Sequence, residues 1–482
     1  MLEDPMPRRR PALLAIGTAA VALGVLTAPS LAVAAPGEPG SPRYEHGSDG
    51  AGDPYFPLAG NGGTDVLHYH LDLDYTPPAP DPAPLEGHLE GVATIDLVAT
   101  QDLDQFNLDL RGLTASEVTV DGKPMRFTQT ENELVITPRP KLKAGDEAQV
   151  VVTYGGTTIR PTDIEGALYG WVTTRDGAMV VSEPDGSATW FPVNDHPTDK
   201  STYSFEITVP EGLVAVANGL LTDSETADGA TTWWWDAPDQ MAAYLATASV
   251  GNFVLDQYTA PNGTPIIDAL DADRPPSAYA DLALTGDMLE FFEGLYGPYP
   301  FNSYGAIVDD DSVGYALETQ TRSFFSLRAR EGTIAHELAH QWMGDQVSPE
   351  RWADIWLNEG WATYSTWMWN EHQGRATASE RFDDFMSLPA DDPEWDFVVA
   401  DPQPLGLFAG PVYDRGAATL HALRVKIGDD AFFELAQAWV ERFGGGTAST
   451  QDFAALAEEV SGQELDAFFE AWVYTPAKPV VW

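Results

Sequence analysis

The sequence predicts an α+β protein of two consecutive domains, a β-rich one and then a mainly helical one, behind an N-terminal export signal. Three observations carry this prediction. Apolar and polar residues alternate with period two through much of residues 63–256. The spacing changes to three and four residues from about Pro275. The chain has 482 residues, enough for more than one buried core.

The first element, residues 1–34, reads as a signal peptide. Arg8, Arg9 and Arg10 supply its positive start, Ala12 to Leu26 its apolar run, and Ala32-Val33-Ala34 a small-x-small cleavage site before Ala35. Pro11 breaks the context of a twin-arginine signal. The run is too short to span a bilayer, so a secreted protein without stable membrane association is expected. Residues 35–62, rich in Gly, Pro and Ser, read as a flexible lead-in.

The β domain, residues 63–256, opens with the alternating run Val66 to Leu73, and similar strands recur at Leu89–Leu97, Phe106–Leu110, Glu117–Val120, Glu133–Ile136, Ala148–Tyr154, Thr202–Val209 and Leu213–Ala217. Asp121-Gly122 and Asp228-Gly229 are hairpin turn signals. His68 and His70 share a strand face, but with no third ligand nearby they read as the polar face of an edge strand. Trp233-Trp234-Trp235 reads as a strand packed on both faces rather than as a ligand platform.

Helical spacing marks the second domain, residues 257–482, at Tyr279–Tyr296, Arg330–Met343, Glu359–Glu371, Asp414–Ile427, Asp430–Phe443 and Thr450–Val460. Gly444-Gly445-Gly446 ends one helix, and Ser449 or Thr450 caps the next.

Composition narrows the function. With 74 acidic and 25 basic residues the formal charge is −49, which excludes the clustered cations that nucleic-acid binding needs. There is no cysteine, so disulfides, thiolate metal sites and cysteine nucleophiles are all excluded.

The chemistry resides in His336-Glu337-Leu338-Ala339-His340. Two histidines one helical turn apart face one side and can share a metal ion, with Glu337 beside it to hold and deprotonate a water. Glu359, in the run Asn358-Glu359-Gly360, opens a second helix and offers a third ligand. Two histidines, one glutamate and an open position form the donor set of a catalytic zinc, so one Zn²⁺ per chain is expected, held by His336, His340 and Glu359.

At this point the chain resembles the M1 family of zinc aminopeptidases, the gluzincins related to aminopeptidase N. Besides the metal residues, the resemblance rests on Trp190-Phe191-Pro192-Val193-Asn194-Asp195-His196-Pro197 with Lys200, on Gly314-Tyr315-Ala316-Leu317-Glu318-Thr319 against the exopeptidase motif G-x-M-E-N, and on Val412-Tyr413-Asp414-Arg415-Gly416-Ala417. It implies a β-saddle domain followed by a thermolysin-like catalytic domain, in a short form without the C-terminal helical domain of the larger members. It further implies that Tyr413 stabilises the oxyanion and that Glu318, Glu183 and Ala316 bind a peptide with a free N-terminus; a monomer is expected, although nothing in the sequence fixes the oligomeric state. Three positions depart from the pattern: Tyr315 replaces Gly, Thr319 replaces Asn, and Thr366 stands where relatives carry an acid that orients a zinc histidine. Two other readings stay open, a thermolysin-like endopeptidase, which needs no amine anchor, and a secreted binding protein with a vestigial site.

Overall fold

The computed structural model describes residues 44–480 except residue 81. The expected signal peptide and residues 35–43 lie outside the described residues. Residues 44–62 differ from the expected flexible lead-in, because their polar groups find buried partners. The Asp53 carboxylate accepts a hydrogen bond from the Trp352 amide at 2.9 Å, and the Gly60 amide donates to Asp109 at 3.1 Å. A segment pinned to both halves of the molecule stays in place despite its loop-like composition.

The β half is built on an eight-stranded sheet. Its strand order is Leu220–Ala227, Ala230–Ala242, Lys200–Pro210, Thr64–Thr76, Gly87–Ala99, Glu147–Thr158, Thr114–Val120 and Lys123–Pro124. Alternation along Thr64–Thr76 sends Tyr69, Leu71, Leu73 and Tyr75 into the core and the intervening residues outward. Asp121-Gly122 and Asp228-Gly229 both adopt paired positive φ, 50° and 69° in the first and 52° and 85° in the second, as a tight hairpin turn requires. The histidine strand is central in the sheet, not at its edge as expected: His68 contacts Thr202 and Ser204 of the neighbouring strand at 2.7 and 3.0 Å, and no metal-ligating cluster among the described residues includes it. Trp233 to Trp235 lie in a strand paired on both sides, with the Trp235 indole buried and donating to the Ala215 carbonyl at 3.1 Å.

Two four-stranded sheets complete this half. In one of them, Gly170–Thr173, Ala178–Val181, Ala248–Gly251 and Val214–Ala217 are nearly all buried, and this sheet delivers Glu183 just past its second strand.

The expected boundary at 256/257 falls inside a strand. Phe253–Thr259 pairs with Pro265–Asp271, and these two join Ala306–Asp309, Ser323–Ser326 and Ala316–Leu317 in a five-stranded sheet belonging to the catalytic half. Ala316–Leu317 is its edge strand. The helices follow: α1 (Thr285–Tyr296), α2 (Glu331–His340), α3 (Trp356–His372), α4 (Ala378–Met386), α5 (Gly410–Ile427), α6 (Asp429–Phe443) and α7 (Thr450–Ser461). α7 begins with a reciprocal capping box between Ser449 and Asp452. None of the described helices is long and apolar enough to cross a membrane.

α3 and α5 meet through glycine. A Cβ on Gly360 would lie 3.0 Å from the Cα of Gly416, so only glycine at both positions allows the two backbones to approach this closely. That contact fixes the first turn of α3, with Glu359, beside the first turns of α5, with Tyr413.

Candidate active site

α2 places His336 and His340 one turn apart with ring centroids 4.8 Å from each other. Glu359 lies in the first turn of α3, three residues after the helix start rather than opening it as expected. Its Oε2 is 3.0 Å from His336 Nε2 and 3.4 Å from His340 Nε2. Ligands about 2.0–2.1 Å from a tetrahedral ion stand about 3.3 Å from one another, so these three donors are spaced to share a metal. His340 turns its other nitrogen, Nδ1, to the Met343 carbonyl at 3.1 Å, which leaves Nε2 for the ion. Burial alone would raise the Glu359 carboxyl, but the His340 charge and the hydrogen bonds from both imidazoles outweigh it and hold the pKa down at about 2. Thr366 plays no part in orienting the histidines: its hydroxyl donates to the Ala362 carbonyl at 3.1 Å and the Gly332 carbonyl at 3.4 Å.

The three ligand candidates open onto a cavity of about 320 Å³ between the two halves. Glu337, Glu318 and Glu183 reach it from α2, from the end of the Ala316–Leu317 strand and from the β half, and all three are buried. Oε1 of Glu183 and Oε1 of Glu318 have no hydrogen-bond partner. Burial pushes the Glu183 carboxyl well above the ordinary range, and the Glu318 and Glu359 charges add to it. Burial likewise raises Glu318, against the pull of His340. Buried acceptors left unpaired call for a partner that the protein's own side chains do not supply.

Tyr413 enters from the first turn of α5, its ring nearly parallel to that of His336 with centroids 6.0 Å apart. Burial, followed by the Glu359 and Glu183 charges, pushes its hydroxyl pKa far up, so the phenol keeps its proton to donate. Ala316 lines the cavity from the edge strand. All eight residues singled out from the sequence are therefore brought together: His336, His340, Glu359, Glu337, Glu318, Glu183, Ala316 and Tyr413.

The departures have local accounts. Thr319 donates its hydroxyl hydrogen to the Arg322 carbonyl, and the Arg322 guanidinium, fully buried, donates to the Ile267 and Tyr304 carbonyls at 2.7 and 2.9 Å. This staples the short connection from Glu318 to α2. Tyr315 reaches across to the β half, its hydroxyl donating to the Leu168 carbonyl at 2.6 Å. Lys200, buried, donates to the Asp345 and Gln346 carbonyls at 2.8 and 3.1 Å just beyond α2, and burial lowers its pKa to about 7 against the opposing pull of Asp345.

Sequence reasoning missed several residues of the site. Thr333 lies one turn before His336 on the lining face of α2, and helical spacing alone points to it. Gln341 donates to the Glu318 carbonyl at 3.1 Å and to Asp345 at 2.7 Å, joining the exopeptidase-like segment to the end of α2. Phe408, Asp163, Glu165 and Ala167 also line the cavity, and no local pattern in the sequence identifies them.

A β half that contributes an acid to a helical half bearing two histidines, a glutamate and a neutral tyrosine defines a two-domain metallohydrolase. Residues 66–245 match the Peptidase M1 N-terminal domain and residues 311–472 the Peptidase family M1 domain. The M1 zinc metallopeptidase from Deinococcus radiodurans superposes with a TM-score of 0.81 at 30% identity, over 89% of this chain and 99% of that one. A mutant of it bound to a Tyr-Ser-Ala substrate gives a TM-score of 0.80 at 30% identity, over 90% and 98%. The chain belongs to peptidase family M1. Among curated relatives, aminopeptidase N of Streptomyces lividans is 25% identical over 460 residues, 85% of this chain and 50% of that one. Glutamyl aminopeptidase of Rattus norvegicus is 27% identical over 376 residues, 70% and 40%. The chain spans about half the length of the curated relatives it matches.

Proposed function

We propose that the protein is a zinc aminopeptidase that removes N-terminal residues from peptides and acts outside the cell. The observation that carries this reading is the pair of unpartnered buried oxygens, on Glu183 and Glu318, beside the two histidines and Glu359. An endopeptidase has no use for two such acids, whereas a substrate ammonium pairs with both. The tripeptide bound by the Deinococcus mutant and the aminopeptidase names of the relatives support the same substrate class. Hydrolysis of a leucine anilide, compared with that of its N-acetylated form, tests the reading: only the free amine should turn over. Faster cleavage of the blocked form would favour the endopeptidase, and cleavage of neither would favour a binding protein.

His336, His340 and Glu359 would hold the zinc, and the donor set, with nitrogen and oxygen and no sulfur, suits it. When bound, zinc supplies Lewis acidity, which acidifies water and polarises a carbonyl. Glu183 and Glu318 fix the substrate ammonium, and so the first peptide bond, at a set distance from the histidines. The free edge of Ala316–Leu317 offers the extended substrate a backbone to pair with. Glu337 takes the proton from the attacking water and carries it to the departing amine. Tyr413 donates its hydroxyl hydrogen to the carbonyl oxygen as that oxygen gains charge.

Two expectations follow from these roles. Chelation should abolish turnover, zinc should restore it, and the metal-free protein should melt about 5 °C lower, as when a tight ligand of the native state is removed. Full activity without metal would overturn the zinc assignment. Tyr413→Phe should lower kcat about 10²-fold with KM nearly unchanged, because its contact forms chiefly in the transition state. A near-normal kcat would remove Tyr413 from the chemistry. Export is tested by sequencing the mature N-terminus, which should begin at Ala35.

A further inference from the structure

The cavity has more acidic side chains than the proposed reaction uses. Six carboxylates line it, from Glu183, Glu318, Glu337, Glu359, Asp163 and Glu165, and no lysine or arginine does. Four have roles above: one binds metal, one moves a proton and two hold the ammonium. Asp163 and Glu165 have none.

Both acids sit on a loop of the β half that is built to hold its shape. Thr162 and Leu168 pair across its base. The Asp163 amide donates to the Ala167 carbonyl at 2.9 Å, and Asp163 Oδ1 accepts from the amides of Glu165 and Ala167 at 2.9 and 2.8 Å. The loop is fastened to the catalytic half at both ends. Arg160 pairs with Asp311 at 2.6 Å, and Tyr315 donates to the Leu168 carbonyl at 2.6 Å. The Arg160 cation is thereby engaged away from the two loop acids, and among the described residues no ion pair includes Asp163 or Glu165. Tyr315 also locates the loop relative to the rest of the site. It lines the cavity together with Asp163, Glu165, Glu183 and Glu318, so the loop it tethers shares that cavity with the two acids assigned to the ammonium.

We propose that Asp163 and Glu165 read a second positive charge, the side chain of an N-terminal lysine or arginine, whose aliphatic stem lies along the Tyr315 ring. This rests on the aminopeptidase reading and narrows its substrate class to peptides with a basic first residue. Glu183 and Glu318, buried and each with an orphaned oxygen, line the same cavity and hold the α-ammonium, while Asp163, half-buried, and Glu165, exposed, are left for the end of a long side chain. Tyr315, where relatives carry a small residue, supplies both the tether for the loop and an aromatic face on which a cation and its methylenes rest.

The comparison of lysine and norleucine p-nitroanilides, which differ in the terminal ammonium, tests this. At low salt kcat/KM should favour lysine by about tenfold, chiefly through KM, and the preference should shrink as salt is raised. In the double variant Asp163→Asn with Glu165→Gln, where asparagine keeps the acceptor that shapes the loop, the lysine-to-norleucine ratio should fall close to one. Calorimetric affinities for lysinamide against norleucinamide read the same difference without turnover. Equal rates and affinities in the unmodified protein, or a preference that survives in the double variant, overturn the inference while leaving the aminopeptidase reading intact. If neither free-amine anilide is hydrolysed while blocked peptides are cleaved, both readings fall together.

Discussion

Glu337→Gln is expected to lower kcat by about 10²–10⁴-fold while the protein keeps its full complement of metal, the range that a positioned acid–base group supplies. The argument is geometric first. Glu337 follows His336 on α2 and lines the cavity with both imidazoles; its carboxylate groups with His340 and Glu318, whereas Glu359 is the acid that completes the set of two histidines. Glutamine has the same shape and keeps the packing of a position that is 5% exposed, but it cannot accept a proton from water at neutral pH. The environment favours a base here as well: burial raises the carboxyl well above its ordinary pKa, and the Glu318 and Glu359 charges act in the same direction against His340. Metal content by atomic absorption, measured on the preparation used for kinetics, separates the two meanings of a dead enzyme. Full metal with lost turnover supports the proton carrier. Lost metal would make Glu337 a ligand, and the assignment of Glu359 would need revision.

What the sequence makes legible here is what depends on nearby residues. Two histidines at helical spacing must share a face, and Asp121-Gly122 must turn, because each follows from chain geometry over a few residues. The start of α3 was not legible for the opposite reason. Of its 17 residues 12 are buried, on every side of the helix, so no amphipathic stripe announces Trp356 as the beginning. The five-stranded sheet hides similarly, since Ala306–Asp309 and Ala316–Leu317 are too short, and the first too buried, to alternate. α4, nine residues long, is missing from the expected helices although Thr377 and Glu380 form a capping box at its start. The far wall of the cavity was the least legible part. Glu183 was reachable through a family pattern, but Asp163 and Glu165 come to the site only because the loop that bears them is tied by Tyr315 and Arg160 to a segment about 150 residues downstream. Such a contact leaves no trace in local spacing.

Removing the acids proposed to read the amine should alter which substrates are cleaved, not only how fast. Glu318 is 2% exposed and Glu183 7% exposed, and each lines the cavity and has an unpartnered oxygen. A substrate ammonium placed between them gives up its water, and the pairing compensates for that loss only while the carboxylates are present. Glu318→Ala is therefore expected to reduce kcat/KM for free-amine substrates by about 2–4 kcal/mol, or roughly 30- to 10³-fold, the scale for breaking a buried charged pair. Adding Glu183→Ala should deepen the loss by less than its single effect, because both acids act on one ammonium and their contributions are coupled. N-acetylated substrates carry no such charge, so their rates should hold or rise, and the ratio of free to blocked turnover should fall by the same factor. Gln341 provides an internal comparison. It bonds the Glu318 carbonyl, the Thr321 amide and Asp345 without lining the cavity, so Gln341→Ala should loosen the wall as a whole and lower both substrates together, unlike Glu318→Ala. Equal losses on free and blocked substrates in Glu318→Ala would mean that the carboxylate holds the wall in place without reading the amine. The unpartnered oxygens would then belong to an endopeptidase cleft, and cleavage within blocked peptides would become the activity to measure.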